Sequence, residues 1–185
     1  ISEIYTITPD VTVSKGTANV TVTDEAIAGN VDHSVLVLDI ESLKNKTYRV
    51  LFTASQVKAL IDQNVPIVIK KANGSITLPI ENFTKDKPAE LFVKERKLLQ
   101  NKWALINAFT IKLKQGNTEL KRLRVPAVLS FSVGADKGIP PKYFGVYLKQ
   151  KGKRWQSLFG RYTDQHITVQ TTHFGTFVIW GVRPR

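Results

Sequence analysis

The stretch Ile67-Val68-Ile69-Lys70-Lys71-Ala72-Asn73-Gly74-Ser75-Ile76-Thr77-Leu78 decides the fold class. Two alternating, β-branched runs flank Asn73-Gly74. A type I′ turn needs positive φ at both central residues, which asparagine and glycine tolerate, so the stretch predicts a tight β-hairpin. The same period-two texture spreads outward. Val11-Thr12-Val13 and Val20-Thr21-Val22-Thr23 place valines on one face and threonines on the other, with Lys15-Gly16 as a turn between them. Val35 to Ile40 and Tyr48 to Phe52 continue the series. Downstream, Leu91-Phe92-Val93, Phe109 to Leu113, Val128 to Val133, Phe144 to Lys149, Trp155 to Phe159, Ile167 to Thr171 and Thr176 to Trp180 alternate as well. Gly116-Asn117, Gly134, Pro140-Pro141, Lys151-Gly152 and Thr163-Asp164 punctuate them. So many short strands at this spacing predict a mainly β protein with two connected β-sandwich-like lobes.

One segment has a helical period instead. In Thr53-Ala54-Ser55-Gln56-Val57-Lys58-Ala59-Leu60-Ile61-Asp62, Thr53 and Gln56 have capping-box spacing, and Val57, Leu60 and Ile61 share a face. Asn64 suits a left-handed helix end, with Pro66 just beyond. A second short helix is expected over Asp24 to Ala28.

Charge divides unevenly. Residues 1–83 carry seven Lys/Arg against nine Asp/Glu, whereas residues 84–185 carry twenty against six, so the second part supplies the whole of the +12 net charge. The Thr84 to Glu90 stretch, with Lys85, Lys87 and Pro88, is the natural seam. The expected units are therefore a lobe at 1–83 with the short helix and a basic lobe at 84–185. Such an imbalance concerns partners more than fold, and it points to a polyanion. Lys112 and Lys114 alternate with Ile111 and Leu113, so both ammonium groups should leave one sheet face. Lys151, Lys153 and Arg154 should crown a hairpin around Gly152, and Lys121, Arg122 and Arg124 extend the basic set. These eight residues are the candidate polyanion site.

The sequence indicates no reaction. Cysteine is absent, which removes disulfides, thiolate zinc sites and cysteine nucleophiles. The three histidines, His33, His166 and His173, show no metal-binding spacing, and no GxSxG elbow occurs. The chain is accordingly expected to be non-catalytic, with no cofactor and no metal. No apolar run approaches the ~20 residues of a membrane-spanning helix. Methionine is absent even at position 1, so the chain reads as a mature product or an excised fragment. Asn19, Asn45, Asn73 and Asn82 head Asn-x-Ser/Thr triplets, which Thr- and Asn-rich strands also produce by chance.

Three stretches together resemble a β-rich module of Gram-positive bacterial surface proteins, often found beside S-layer homology repeats. They are Val11 to Val22, Tyr48 to Pro79, and the ending Trp155 to Trp180 with Thr172-His173-Phe174-Gly175-Thr176-Phe177 as its signature. The resemblance implies an extracellular or cell-surface location and a structural or adhesive role. The basic lobe is specific to these residues and not supplied by the resemblance; in that location its expected partners are anionic cell-wall polymers. Related endings more often read His-Phe-Ser, a tripeptide at which certain sandwich domains cleave themselves. Here position 175 is glycine, which has no nucleophile, so cleavage is not expected and His173-Phe174 is read as structural: a buried imidazole bonded across strands over a packed Phe174. Two rivals remain. A carbohydrate-active accessory domain would show exposed coplanar aromatics, for example Trp103 with Tyr143. A nucleic-acid-binding domain is less favoured, because Trp103, Tyr143, Phe144, Tyr147, Trp155, Phe159 and Tyr162 fall mostly at strand positions expected to face a core.

Overall fold

The computed structural model of the protein describes residues 4–100, 104–133, 139–140 and 143–182. Trp103, Gly134 and Pro141 lie outside the described residues. The elements run β1 (Ile4–Ile7), β2 (Asp10–Ser14), β3 (Thr17–Thr21), α1 (Asp24–Ala28), β4 (Val35–Asp39), β5 (Thr47–Phe52), α2 (Ala54–Gln63), β6 (Ile67–Lys71) and β7 (Gly74–Leu78). After a 3₁₀ turn at Ile80–Asn82 come β8 (Ala89–Gln100), β9 (Ala104–Gln115), β10 (Thr118–Glu119) and β11 (Arg122–Ser132). The chain continues through β12 (Phe144–Lys149), β13 (Gln156–Leu158), β14 (Arg161–Thr163), β15 (His166–His173) and β16 (Thr176–Val182). The protein is mainly β and sandwich-like, as its strand texture predicts.

The hairpin of β6 and β7 forms, but with a different turn. Their register ends at Lys71 opposite Gly74, so the loop residues are Ala72 and Asn73. Gly74 begins β7 at φ 149°, where an added Cβ would sit 2.1 Å from the Ser130 carbonyl oxygen. Position 74 must therefore be glycine because β11 presses against it, not because a type I′ turn requires it. The Lys15-Gly16 turn between β2 and β3 does take positive φ at both residues, 51° and 80°.

One sheet has seven strands in the order β1-β4-β6-β7-β11-β15-β14; the other has nine, ordered β13-β12-β16-β9-β8-β5-β3-β2, with β10 paired to β9. α1 links β3 of the larger sheet to β4 of the smaller, and α2 links β5 to β6 in the same sense. Thr53 caps α2 by accepting from the Gln56 amide at 3.2 Å, while Gln56 Oε1 accepts from the Thr53 amide at 3.0 Å. Asn64 ends the helix at φ 55°. Both helices thus occur where the sequence places them.

The inner faces of both sheets meet in a single apolar core. Phe131 on β11 sits between Phe109 on β9, at 5.0 Å between ring centroids, and Phe177 on β16, at 6.4 Å. Phe177 is wholly buried, and removing a side chain of that size from water is worth about 1.5–3 kcal/mol. The expected boundary at residues 83 and 84 does not separate these sheets. β5 pairs with β8 and β7 pairs with β11, so ladders cross it in both layers. The seam itself is bonded into the sandwich: Thr84 donates to Gln115 Oε1 at 2.6 Å and accepts from Gln115 Nε2 at 2.9 Å. Asn82 likewise donates to the Val125 carbonyl and accepts from its amide, both at 2.9 Å.

Candidate polyanion face and aromatic groove

On β9, Ile111, Leu113 and Gln115 are buried while Lys112 and Lys114 are exposed, which places both lysines on the outer face of the nine-stranded sheet. Directly opposed residues of adjacent strands share a face, so the register lays out rows across it. One row reads Lys94 on β8, Thr110 on β9, Thr176 on β16 and Lys149 on β12. At its centre the Thr110 and Thr176 hydroxyls lie 3.1 Å apart. A second row, on one side, pairs Phe92 with Lys112, and Arg49 on β5 lies beyond Phe92. Arg49 is engaged, with its guanidinium 3.4 Å from Glu90 and 5.5 Å from the Phe92 ring. On the other side of the first row, a third reads Arg96, Ala108, Val178 and Tyr147.

Past that row the face turns apolar. Trp180 on β16 stands between Ile106 on β9 and Gly145 on β12. The Tyr147 ring packs closely over Gly145, its atoms 3.2–3.5 Å from where a Cβ would be. Tyr147, Trp155 and Trp180 rise around an open groove of about 890 Å³ whose floor includes Val178. Val178 is buried although it is on the outer face, because these side chains cover it. Trp155 is 56% exposed and Trp180 46%. Tyr143 and Phe159 are exposed too, contrary to the expectation that strand aromatics fill the core. The rule behind that expectation takes no account of which face of a strand an aromatic occupies. Phe144, in contrast, folds over Gly181 and packs against the core, as does Tyr162.

The eight predicted basic residues are not one site. Lys112 and Lys114 share the outer face with Lys94, Arg96 and Lys149. Lys151, Lys153 and Arg154 lie exposed on the turn from β12 to β13, immediately before Trp155, and the Lys149 ammonium donates to the Lys153 carbonyl. Arg122 and Arg124 separate from them: β11 belongs to the seven-stranded sheet, where Arg122 stands opposite His173. Lys121 lies in the link between β10 and β11, next to Leu120, whose amide bonds the Leu113 carbonyl of β9 at 2.7 Å. The change of sheet between β9 and β11 makes this division. Lys94, Arg96 and Lys149 lie outside the set expected from the sequence and join the face only through strand pairing, and Trp180 lies in an apolar run that resembles a core strand.

A half-buried polar cluster occupies the edge between the sheets. Lys71 donates to the Asn45 carbonyl at 2.6 Å and lies 5.2 Å from the centre of the Tyr48 ring. Asn73 donates to Glu95. Burial lowers the Lys71 pKa, opposed by the Glu95 charge, and burial with the same carboxylate pushes the Tyr48 phenol far above its ordinary range. The histidines do not converge on a metal site. His166 and His173 begin and end β15, seven residues apart at about 3.3 Å per residue. His33 stacks on Tyr5 at 5.0 Å. The His173 imidazole is part-buried and bonds its neighbour Thr172 at 3.0 Å, not a residue across strands, while Phe174 is buried as expected. Position 175 is constrained by packing: a Cβ there would meet the Lys149 carbonyl at 2.6 Å.

No protein-family model matches the chain. It is similar to a protein of Evansella cellulosilytica named "Putative membrane protein", with 22% identity over 170 residues. That match covers 87% of this chain but only 25% of the relative, so the chain corresponds to about a quarter of the longer protein. Among the described residues, no helix is long and apolar enough to cross a membrane.

Proposed function

We propose that the chain is a non-catalytic module of a bacterial surface protein, holding anionic cell-envelope polymers against the outer face of its nine-stranded sheet. The observation that carries this reading is the set Lys94, Arg96, Lys112, Lys114 and Lys149 on that one face, bordered by Lys151, Lys153 and Arg154. The four ion pairs among the described residues use none of them. Lys114 stands between Glu90 and Glu119 in the register, whereas Lys94, Arg96, Lys112 and Lys149 have no acidic residue directly opposite them in the ladders and are available to phosphate or carboxylate groups spaced along a chain. The name of the longer relative agrees with an envelope location, and the resemblance of the ending to surface modules supports display outside the cell.

Sedimentation with purified Gram-positive cell walls, before and after extraction of teichoic acid, tests the reading. Binding should fall on extraction and weaken as salt rises, because exposed charges are screened beyond about 10 Å at 0.1 M ionic strength. Equal binding to both preparations, or none to either, overturns it.

A further inference from the structure

The aromatic groove is not required by a purely electrostatic site. A charged face alone needs no pair of half-exposed tryptophans beside it, and an apolar groove this open would ordinarily be filled or covered in an isolated domain. Its neighbours indicate what fits. One end of the groove leads along the strands into the row of Lys94, Thr110, Thr176 and Lys149, whose centre is a hydroxyl pair with a cation at each side. Successive residues on the same face of a strand lie roughly 7 Å apart, so Tyr147 and Lys149 are about one sugar ring from each other. A flat, weakly polar ring with axial C–H groups packs on an indole face. Its hydroxyls need donors and acceptors at the ring edge, and a phosphate or carboxylate attached to it needs a cation one step further on. The surface offers the indoles first and, beyond the Ala108–Val178 row, the hydroxyl pair with a cation on each side of it.

We infer that the groove lined by Trp155, Trp180 and Tyr147 is a sugar-ring subsite for an anionic polysaccharide. The glycosyl units stack on the indoles while Lys94, Lys149 and the Thr110–Thr176 pair engage the adjoining anionic group and hydroxyls. This rests on the polyanion reading above and supplies the chemical class of its ligand. A concave groove flanked by two indoles admits a sugar ring between them. A bilayer, being planar, would be met by protruding tips.

The test uses the 185-residue chain with two soluble probes, poly(glycerol phosphate) and the same polymer carrying glucosyl substituents, titrated calorimetrically at low salt. Glucosylation should tighten binding about tenfold, as expected of roughly two aromatic contacts. Trp180→Ala and Trp155→Ala should each remove most of that gain and leave binding of the unsubstituted polymer unchanged. Both residues lie outside the core and are about half-exposed, so the variants should still unfold in one cooperative thermal transition, at a somewhat lower midpoint. Lys94→Gln with Lys149→Gln should weaken both probes.

If both polymers bind equally and the tryptophan variants match wild type, the groove is not a sugar subsite, yet the polyanion reading stands. Absence of binding to either polymer removes both. Two further results overturn the inference in favour of another occupant. One is a wild-type dimer in sedimentation equilibrium that Trp180→Ala dissolves, which assigns the groove to a second copy. The other is Trp180-dependent binding to phosphatidylglycerol vesicles that exceeds binding to either polymer.

Discussion

Single residues here are constrained by neighbours distant in sequence. Gly74 and Gly175 look like turn punctuation, yet each is required because a backbone carbonyl, of Ser130 or Lys149, occupies the space of its Cβ. Tyr48 gives the residue scale its clearest prediction. Its phenol is buried beside Glu95, and the folded state holds its pKa well above the unfolded value of about 10. Between those values the folded chain binds the proton more tightly than the unfolded one. The contribution is thus fully present below pH 10 and is lost as pH rises beyond it. Lys71 acts in the opposite sense: its folded pKa lies below its unfolded value of 10.5, so stability gains with pH in that interval and not above it. Above pH 10.5 the Tyr48 effect acts alone. Thermal melts across pH 9 to 11 should therefore show a steeper fall in midpoint for the wild type than for Tyr48→Phe. Parallel curves would remove Tyr48 as the cause.

Elements were most legible where their determinants are local. α2 could be read in full because its cap, apolar face and left-handed end all lie within Thr53 to Asn64. Thr53→Ala removes the bond to the Gln56 amide and the hydroxyl that completes the capping box. It should cost about 1 kcal/mol in urea unfolding, and Thr53→Ser should recover most of it. A loss indistinguishable from zero would mean that tertiary packing holds the helix without its cap. The strands were legible as strands but not by face. Period-two alternation in Phe144 to Lys149 and Thr176 to Trp180 does not distinguish a core aromatic from one facing water, since either parity fits. Tyr147 and Trp180 turn outward because Val146, Leu148, Phe177 and Ile179 take the inner positions.

At the scale of the whole molecule, the charge asymmetry and the architecture are independent. The basic half contributes strands to both layers, and each layer needs the acidic half to complete it. Residues 1–83 alone would expose the edges of β5 and β7 and one side of the core. That fragment should show no cooperative thermal transition by circular dichroism; a sharp one would re-establish an autonomous N-terminal lobe. The candidate site is correspondingly a product of topology. Lys112 and Lys114 reach the same face as Lys94 and Lys149 through pairings between strands, while Arg122 and Arg124 depart with β11 to the other sheet. The sequence by itself determined the mainly β class, the two helices with their caps, the exclusion of thiol chemistry and the cationic character of residues 84–185, because propensity, capping and composition are local or additive. Only the tertiary structure decided which strands pair across residue 83, which lysines share a face, and that Trp155 and Trp180 stand half in solvent beside them. Register and face depend on contacts between residues far apart in the chain, and alternation alone does not encode them.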